Sequence, residues 1–150
     1  SFVRATPRGV KSRFRRFFRA EFVGGELVYV VRVETPLSTV RACPCEPLPS
    51  VTFELVEDPS TDFGEPWSDF ISALSRMLRR YDVDIGAVEF TAVHKAEAEG
   101  PPVSFSVFDI NCNTTYHSAV ERAAKEVTGR TATECVAAYI AKRVEETKAP

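Results

Sequence analysis

The stretch LVYVVRV, residues 27–33, decides the class of the fold. It is made almost entirely of branched aliphatic and aromatic residues, which favour a β-strand because they pack well on a pleated, half-buried surface. The sequence pattern changes on both sides of this strand, towards the C-terminus and towards the N-terminus.

Further strands are predicted towards the C-terminus, at residues 51–55, 85–94 and 103–110, with a short returning strand at 38–42. Residues 66–81 repeat apolar side chains every three or four positions, which predicts an amphipathic helix. The capping-box patterns Ser118-x-x-Glu121 and Thr131-x-x-Glu134 predict the starts of two more helices. Gly129, between them, predicts the end of the first.

On the N-terminal side, the apolar spacing predicts a helix over residues 10–22 that ends at Gly24-Gly25. One face of this helix would be almost entirely aromatic and aliphatic. Four buried phenylalanines and a valine cover on the order of 600–1,000 Å². That area is larger than the apolar patch a monomer usually exposes, so we expect something to cover it.

The predicted order is α-β-β-(β)-α-β-β-α-α, an α+β fold with helices packed on an antiparallel sheet of about four to five strands. This order of elements resembles that of profilin-like and longin-like α+β domains. We divide the chain into a basic amphipathic N-terminal arm or helix, residues 1–25, and a single α+β domain, residues 26–150.

The charge distribution sets the arm apart from the rest. Residues 1–19 contain seven of the 19 Lys and Arg residues and none of the 21 Asp and Glu residues. The remainder of the chain is therefore acidic, and the arm is expected to have an acidic or anionic partner of its own. No apolar run is long enough for a transmembrane helix, so no transmembrane segment is predicted.

The arm also suggests a cellular location. Its first residue is Ser1 rather than methionine, and it is rich in arginine and free of acids, as mitochondrial targeting segments are. We expect a mitochondrial protein, and otherwise a cytoplasmic one.

Cysteine and histidine residues do not form a catalytic or metal-binding signature. Cys43-Pro44-Cys45 lacks the second pair of ligands that structural zinc requires, so plain thiols are expected before a redox or metal role. His94 and His117 are the only histidines, and neither stands in a nucleophile motif. No catalytic residue, metal or cofactor is predicted. A small enzyme with a dispersed site around His94 or His117 is kept as an alternative function.

The favoured function is a non-enzymatic accessory or structural subunit of a larger assembly, whose other protein subunits contact the arm. Aromatic and arginine side chains are the types enriched at interface hot spots. The predicted contact residues are Val10, Phe14, Phe17, Phe18, Phe22, Arg13, Arg15, Arg16 and Arg19.

Two alternatives to a protein partner could cover the aromatic face. The arm could pack on its own sheet as the first helix of the domain. It could instead bind, through residues 1–22, an anionic membrane surface or RNA, as in a ribosomal or RNA-processing factor.

Overall fold

The computed structural model describes residues 14–36, 51–94, 103–112 and 114–148. In these ranges the strands are β1 (Phe14–Val23), β2 (Glu26–Pro36), β3 (Thr52–Val56), β4 (Ile85–His94) and β5 (Val103–Asn111). The helices there are α1 (Pro59–Phe63), α2 (Pro66–Arg80), α3 (Ser118–Thr128) and α4 (Ala132–Lys148). The strands form one antiparallel sheet in the order β3-β2-β1-β4-β5. The predicted α+β fold is thus confirmed, with helices packed on both faces of the sheet. The short strand predicted at 38–42 lies outside the described residues.

The prediction of a helix over residues 10–22 is wrong for residues 14–22, which the structure describes. Phe14–Val23 form a strand, and it is the central strand of the sheet, paired with β2 on one side and β4 on the other. The first described element is therefore β rather than α, which changes the order of elements on which the resemblance to profilin-like and longin-like domains rests. Residues 1–13, with Val10 and Arg13, lie outside the described residues.

The pair Gly24-Gly25 explains this difference. Both glycines have positive φ, 63° and 73°, and they connect Val23 directly to its pairing partner Glu26. Two consecutive residues with positive φ make the type I′ turn that joins strands of a tight hairpin. The same dipeptide can end a helix, but here it reverses the chain between two strands.

The two faces of the sheet have separate cores. On the first face, Phe18, Ala20 and Phe22 of β1 pack with α1 and α2. This core is strongly aromatic: the Phe63 ring meets the Phe18 ring edge-on, with centroids 4.9 Å apart. On the second face, Val23 of β1 and four branched or aromatic residues of β2 pack with α3 and α4; these are Val28, Tyr29, Val31 and Val33. Because β1 is buried on both faces, its sequence lacks the simple alternation of a half-exposed strand.

One short helix has no counterpart among the predicted elements, and one predicted cap needs correction. Residues 59–63 form the helix α1, capped by the Asp58 carboxylate, which accepts from the amides of Ser60 and Thr61. The Ser118-x-x-Glu121 capping box is not formed, because His117 is the N-cap residue and the Glu121 carboxylate is engaged elsewhere.

The second capping box and the glycine cap are confirmed. The Thr131 amide donates to Glu134 Oε2 at 2.9 Å, and the Glu134 amide donates to Thr131 Oγ1 at 3.0 Å. Gly129 ends α3 in the left-handed conformation, with φ 76°.

Candidate interaction surface and the buried polar network

The predicted contact residues of the arm are divided between the interior and the surface. Phe18 and Phe22 are buried in the first core, and Arg19 is buried on the second face. These three side chains pack inside the chain's own fold, and their contact with a partner stays a prediction. Arg15 and Arg16 are exposed, and Phe17 is half-buried on the second face.

Arg19 is held by two carboxylates from neighbouring positions of the sheet. Its Nε donates to Glu21 Oε1 at 2.6 Å, and its Nη1 donates to Glu89 Oε1 at 2.7 Å. Glu89 lies directly opposite Arg19 on β4, and Glu21 lies two residues along β1 on the same face. Thr114 Oγ1 completes the network by donating to Glu21 Oε2 at 3.1 Å.

Burial and ion pairing have opposite effects on the pKa values in this network. Burial raises the pKa of Glu21 above its ordinary value, although Arg19 and Thr114 pull it down. Burial lowers the pKa of Arg19, but its two carboxylate partners outweigh that effect and raise it. The two carboxylates bind the guanidinium from β1 and β4, so the network links the central strand to its neighbour.

A second polar contact joins the sheet to the helices. The Tyr29 hydroxyl donates to Glu121 Oε1 at 2.7 Å, and the same carboxylate accepts from the amides of Ala132 and Thr133 at the start of α4. Burial and the neighbouring carboxylate raise the pKa of Tyr29. Tyr29 is therefore a hydrogen-bond donor that ties α3 and α4 to β2.

The histidine and cysteine side chains that the structure describes are His117, Cys112 and Cys135. The His117 ring stacks on Phe53 with centroids 4.8 Å apart, and its buried Nδ1 has no hydrogen-bond partner among the described residues. Cys112 is exposed and Cys135 half-buried, both as free thiols. In the described ranges, no group of three histidine, cysteine or acidic side chains is arranged to hold a metal ion. Cys43 and Cys45 lie outside those ranges, and His94 ends β4.

The second face of the sheet is only partly covered. On this face α3 packs on β3, and α4 packs on β1 and β2. Over β4 and β5 the face is more open: Val93 of β4 is 55% exposed and Phe108 of β5 is 56% exposed. The Phe108 ring reaches across β4 to meet the Phe17 ring edge-on, with centroids 5.6 Å apart. We call Arg15, Phe17, Val93 and Phe108 the Phe17–Phe108 patch.

A bulge in β5 creates this patch. Glu89 pairs with Asp109 and Phe90 pairs with Val107, so Phe108 is an extra residue without an opposite partner on β4. Such a bulge re-aims a side chain, and here it turns Phe108 towards Phe17. Sequence analysis missed Phe108, although the break in alternation at Val107-Phe108 was a visible signal.

No helix within the described residues has the length and hydropathy needed to cross a membrane. Comparisons of the chain with protein-family models, curated proteins and solved structures found no match.

Proposed function

We propose that the chain is a non-enzymatic accessory subunit of a larger protein assembly, and that it docks through the Phe17–Phe108 patch at the start of β1. The observation that supports this proposal is an aromatic pair, half-buried Phe17 and exposed Phe108, on the part of the second sheet face that α3 and α4 leave uncovered. The patch includes two accessible members of the predicted contact set, Arg15 and Phe17, together with Val93 and Phe108.

The chemistry of the patch suits a protein partner. Aromatic and arginine side chains carry a large share of the binding energy at interfaces, and they do so from the centre of a patch that excludes water. Phe108 and Val93 offer exposed apolar area, and Arg15 supplies a cation at their margin. The N-terminal segment, with Arg4, Arg8 and Lys11, enters β1 directly before this patch.

Ion pairing within the chain makes RNA a weaker candidate. Binding to a polyanion needs clustered cations that are free to neutralise phosphates. Arg16 Nε donates to Glu34 Oε1 at 2.7 Å, and Arg19 is enclosed by Glu21 and Glu89. Of these three, only Arg15 is exposed without an acidic partner among the described residues.

A mitochondrial location remains part of this proposal and rests on the composition of residues 1–19 alone. Fractionation of the source cells, with detection of the untagged protein, tests it separately from the docking surface.

The docking surface is tested by co-purification of the tagged full-length chain from its source, with quantitative mass spectrometry. We expect Phe108→Glu to remove most of the co-purifying subunits, because it puts a charge at the centre of the apolar patch. Tyr81→Glu is the matched control, since Tyr81 is 75% exposed at the end of α2, away from the patch. The control is expected to retain the same subunits as the parent chain.

Two results would contradict the proposal. One is equal recovery of partners by Phe108→Glu and the parent. The other is recovery that disappears with nuclease treatment and falls steeply with salt, which would indicate nucleic acid instead. Thermal unfolding of both variants shows whether the lost partners reflect a lost fold.

A further inference from the structure

β5 is one of the two edge strands of the described sheet, and the two halves of its outer edge differ in sequence. Among the described strands it pairs only with β4, so the outer main-chain groups of residues 103–107 have no strand partner there. Proteins usually protect such edges with charges, prolines or bulges, because an open edge is a template for pairing with another strand. The two halves of β5 differ in these protective features.

The second half of β5 is protected and the first half is not. Phe108 forms a bulge, and Asp109 places a charge next to it. Residues 103–107 contain no charge, no proline and no bulge. Exposure also increases along this half, from 4% at Val103 to 40% at Val107.

The unprotected half has a sequence that reads the same in both directions: Val103-Ser104-Phe105-Ser106-Val107. A two-fold axis through the centre of such a segment brings like residues together in an antiparallel pair. A two-fold interface must be self-complementary, because each surface meets its own copy. This segment meets that condition residue by residue.

We propose that two copies of the chain pair through β5, antiparallel about a two-fold axis at Phe105, to form a continuous ten-stranded sheet. In this register Ser104 of each copy lies opposite position 106 of the other, and Val103 lies opposite position 107. Opposed serines can form hydrogen bonds, and opposed aromatic or branched side chains pack favourably.

The surroundings of Phe105 favour this occupant. Phe105 stacks on Phe70 of α2, with ring centroids 4.2 Å apart, and both side chains are only partly buried. A second copy at the axis brings another Phe70–Phe105 stack beside the first, so that each stack covers the exposed parts of the other.

The axis lies on the unprotected half, so the bulge at Phe108 and the Asp109 carboxylate stay outside the paired segment. The Phe17–Phe108 patch lies on the second face of the sheet and belongs to each copy separately.

The first measurement is the mass of the full chain in solution, by light scattering and sedimentation over a range of concentrations. We expect about twice the mass of one chain, which is 16.7 kDa. A single-chain mass at every concentration would overturn the proposal.

The register is tested by a pair of charge variants. Ser104→Lys with Ser106→Lys opposes lysine to lysine twice across the axis, and we expect the dimer to be lost. Ser104→Lys with Ser106→Glu opposes lysine to glutamate twice, and we expect the dimer to be retained. Within one copy, positions 104 and 106 lie opposite the uncharged Val93 and Thr91, so neither variant places a new charge directly opposite a charged residue of β4.

A matched control carries the same added charge on another surface. Ser68→Lys with Ser72→Lys places two lysines at exposed positions of α2, and we expect it to remain dimeric. Circular dichroism on heating confirms that each variant folds. Equal masses for the two β5 charge variants, whether both dimeric or both monomeric, would exclude this pairing.

Discussion

The Tyr29 hydroxyl lies 2.7 Å from Oε1 of Glu121, and this contact links the hairpin of β1 and β2 to the two C-terminal helices. The same carboxylate accepts from the amides of Ala132 and Thr133 and from the Thr133 hydroxyl. Glu121 thus satisfies main-chain donors at the start of α4 that have no partner within the helix. One side chain on α3 therefore sets the position of α4 on the sheet.

We expect Glu121→Ala to lower the free energy of unfolding by about 2 kcal/mol, because it removes charge-assisted hydrogen bonds to partly buried donors. Glu126→Ala is the matched control on the exposed side of α3, and its effect is expected to stay within about 0.5 kcal/mol. Urea unfolding followed by circular dichroism measures both. Similar effects for the two variants would show that the contact with Tyr29 and α4 contributes little.

The buried network predicts a large effect at Arg19. Arg19→Ala leaves the Glu21 and Glu89 carboxylates without their cation, and breaking a buried pair in this way costs about 3–5 kcal/mol. Arg15→Ala, at an exposed position of the same strand, is expected to change stability by less than about 0.5 kcal/mol. Chemical denaturation of the two variants gives the comparison.

A double variant separates loss of the cation from loss of packing. We expect Arg19→Met with Glu21→Gln to be less destabilised than Arg19→Met alone, because it removes one of the buried charges left unpaired. Additive effects of the two substitutions would contradict the coupling.

The two glutamates predict opposite dependences of stability on pH. Although burial raises the pKa of Glu121, hydrogen bonds from Thr133, Tyr29 and the α4 amides outweigh it and hold the pKa below its ordinary value of 4.5. The stability from Glu121 is therefore present above pH 4.5 and lost as the pH falls through the lowered pKa. For Glu21, burial raises the pKa above 4.5, so its contribution is largest below pH 4.5 and is lost as the pH rises through the raised value.

Measuring the free energy of unfolding from about pH 3 to pH 7 tests these signs. Relative to the parent chain, Glu121→Gln is expected to lose stability as the pH rises, whereas Glu21→Gln is expected to gain it. Slopes of the same sign would contradict the assignment for one of the two groups.

The hairpin turn predicts strain on substitution of Gly24. Gly24→Ala puts a side chain on a residue with φ 63° and brings its Cβ within 2.9 Å of the Tyr139 ring. We expect a loss of about 1–2 kcal/mol from the left-handed conformation alone, with a further loss as Tyr139 shifts on α4. Gly129→Asn is the control, because asparagine tolerates positive φ and nothing lies within 4 Å of the added Cβ. Thermal unfolding that ranks the control as the more damaging change would contradict this account.

Local signals were sufficient for most elements. The prediction for β4 has the same bounds as the strand in the structure, and the helix from Pro66 differs only at its last residue. The Thr131–Glu134 capping box and the Gly129 cap also form as predicted. In each case the signal involves residues a few positions apart, so the rest of the fold is not needed to interpret it.

Local sequence patterns were thus sufficient to predict an α+β protein. They also located the strands and helices that have a clear hydrophobic periodicity or a capping motif. Only the tertiary structure decided the N-terminal segment. The spacing of Phe14, Phe17, Phe18 and Phe22 fits a helical face, and the Gly24-Gly25 turn fits either a helix end or a hairpin. Pairing with β2 and β4 selects the strand, because it buries Phe18 and Phe22 on one face while Glu89 supplies the second partner for Arg19 on the other. That carboxylate lies 70 residues away along the chain, so no local pattern could have revealed that Arg19 is buried.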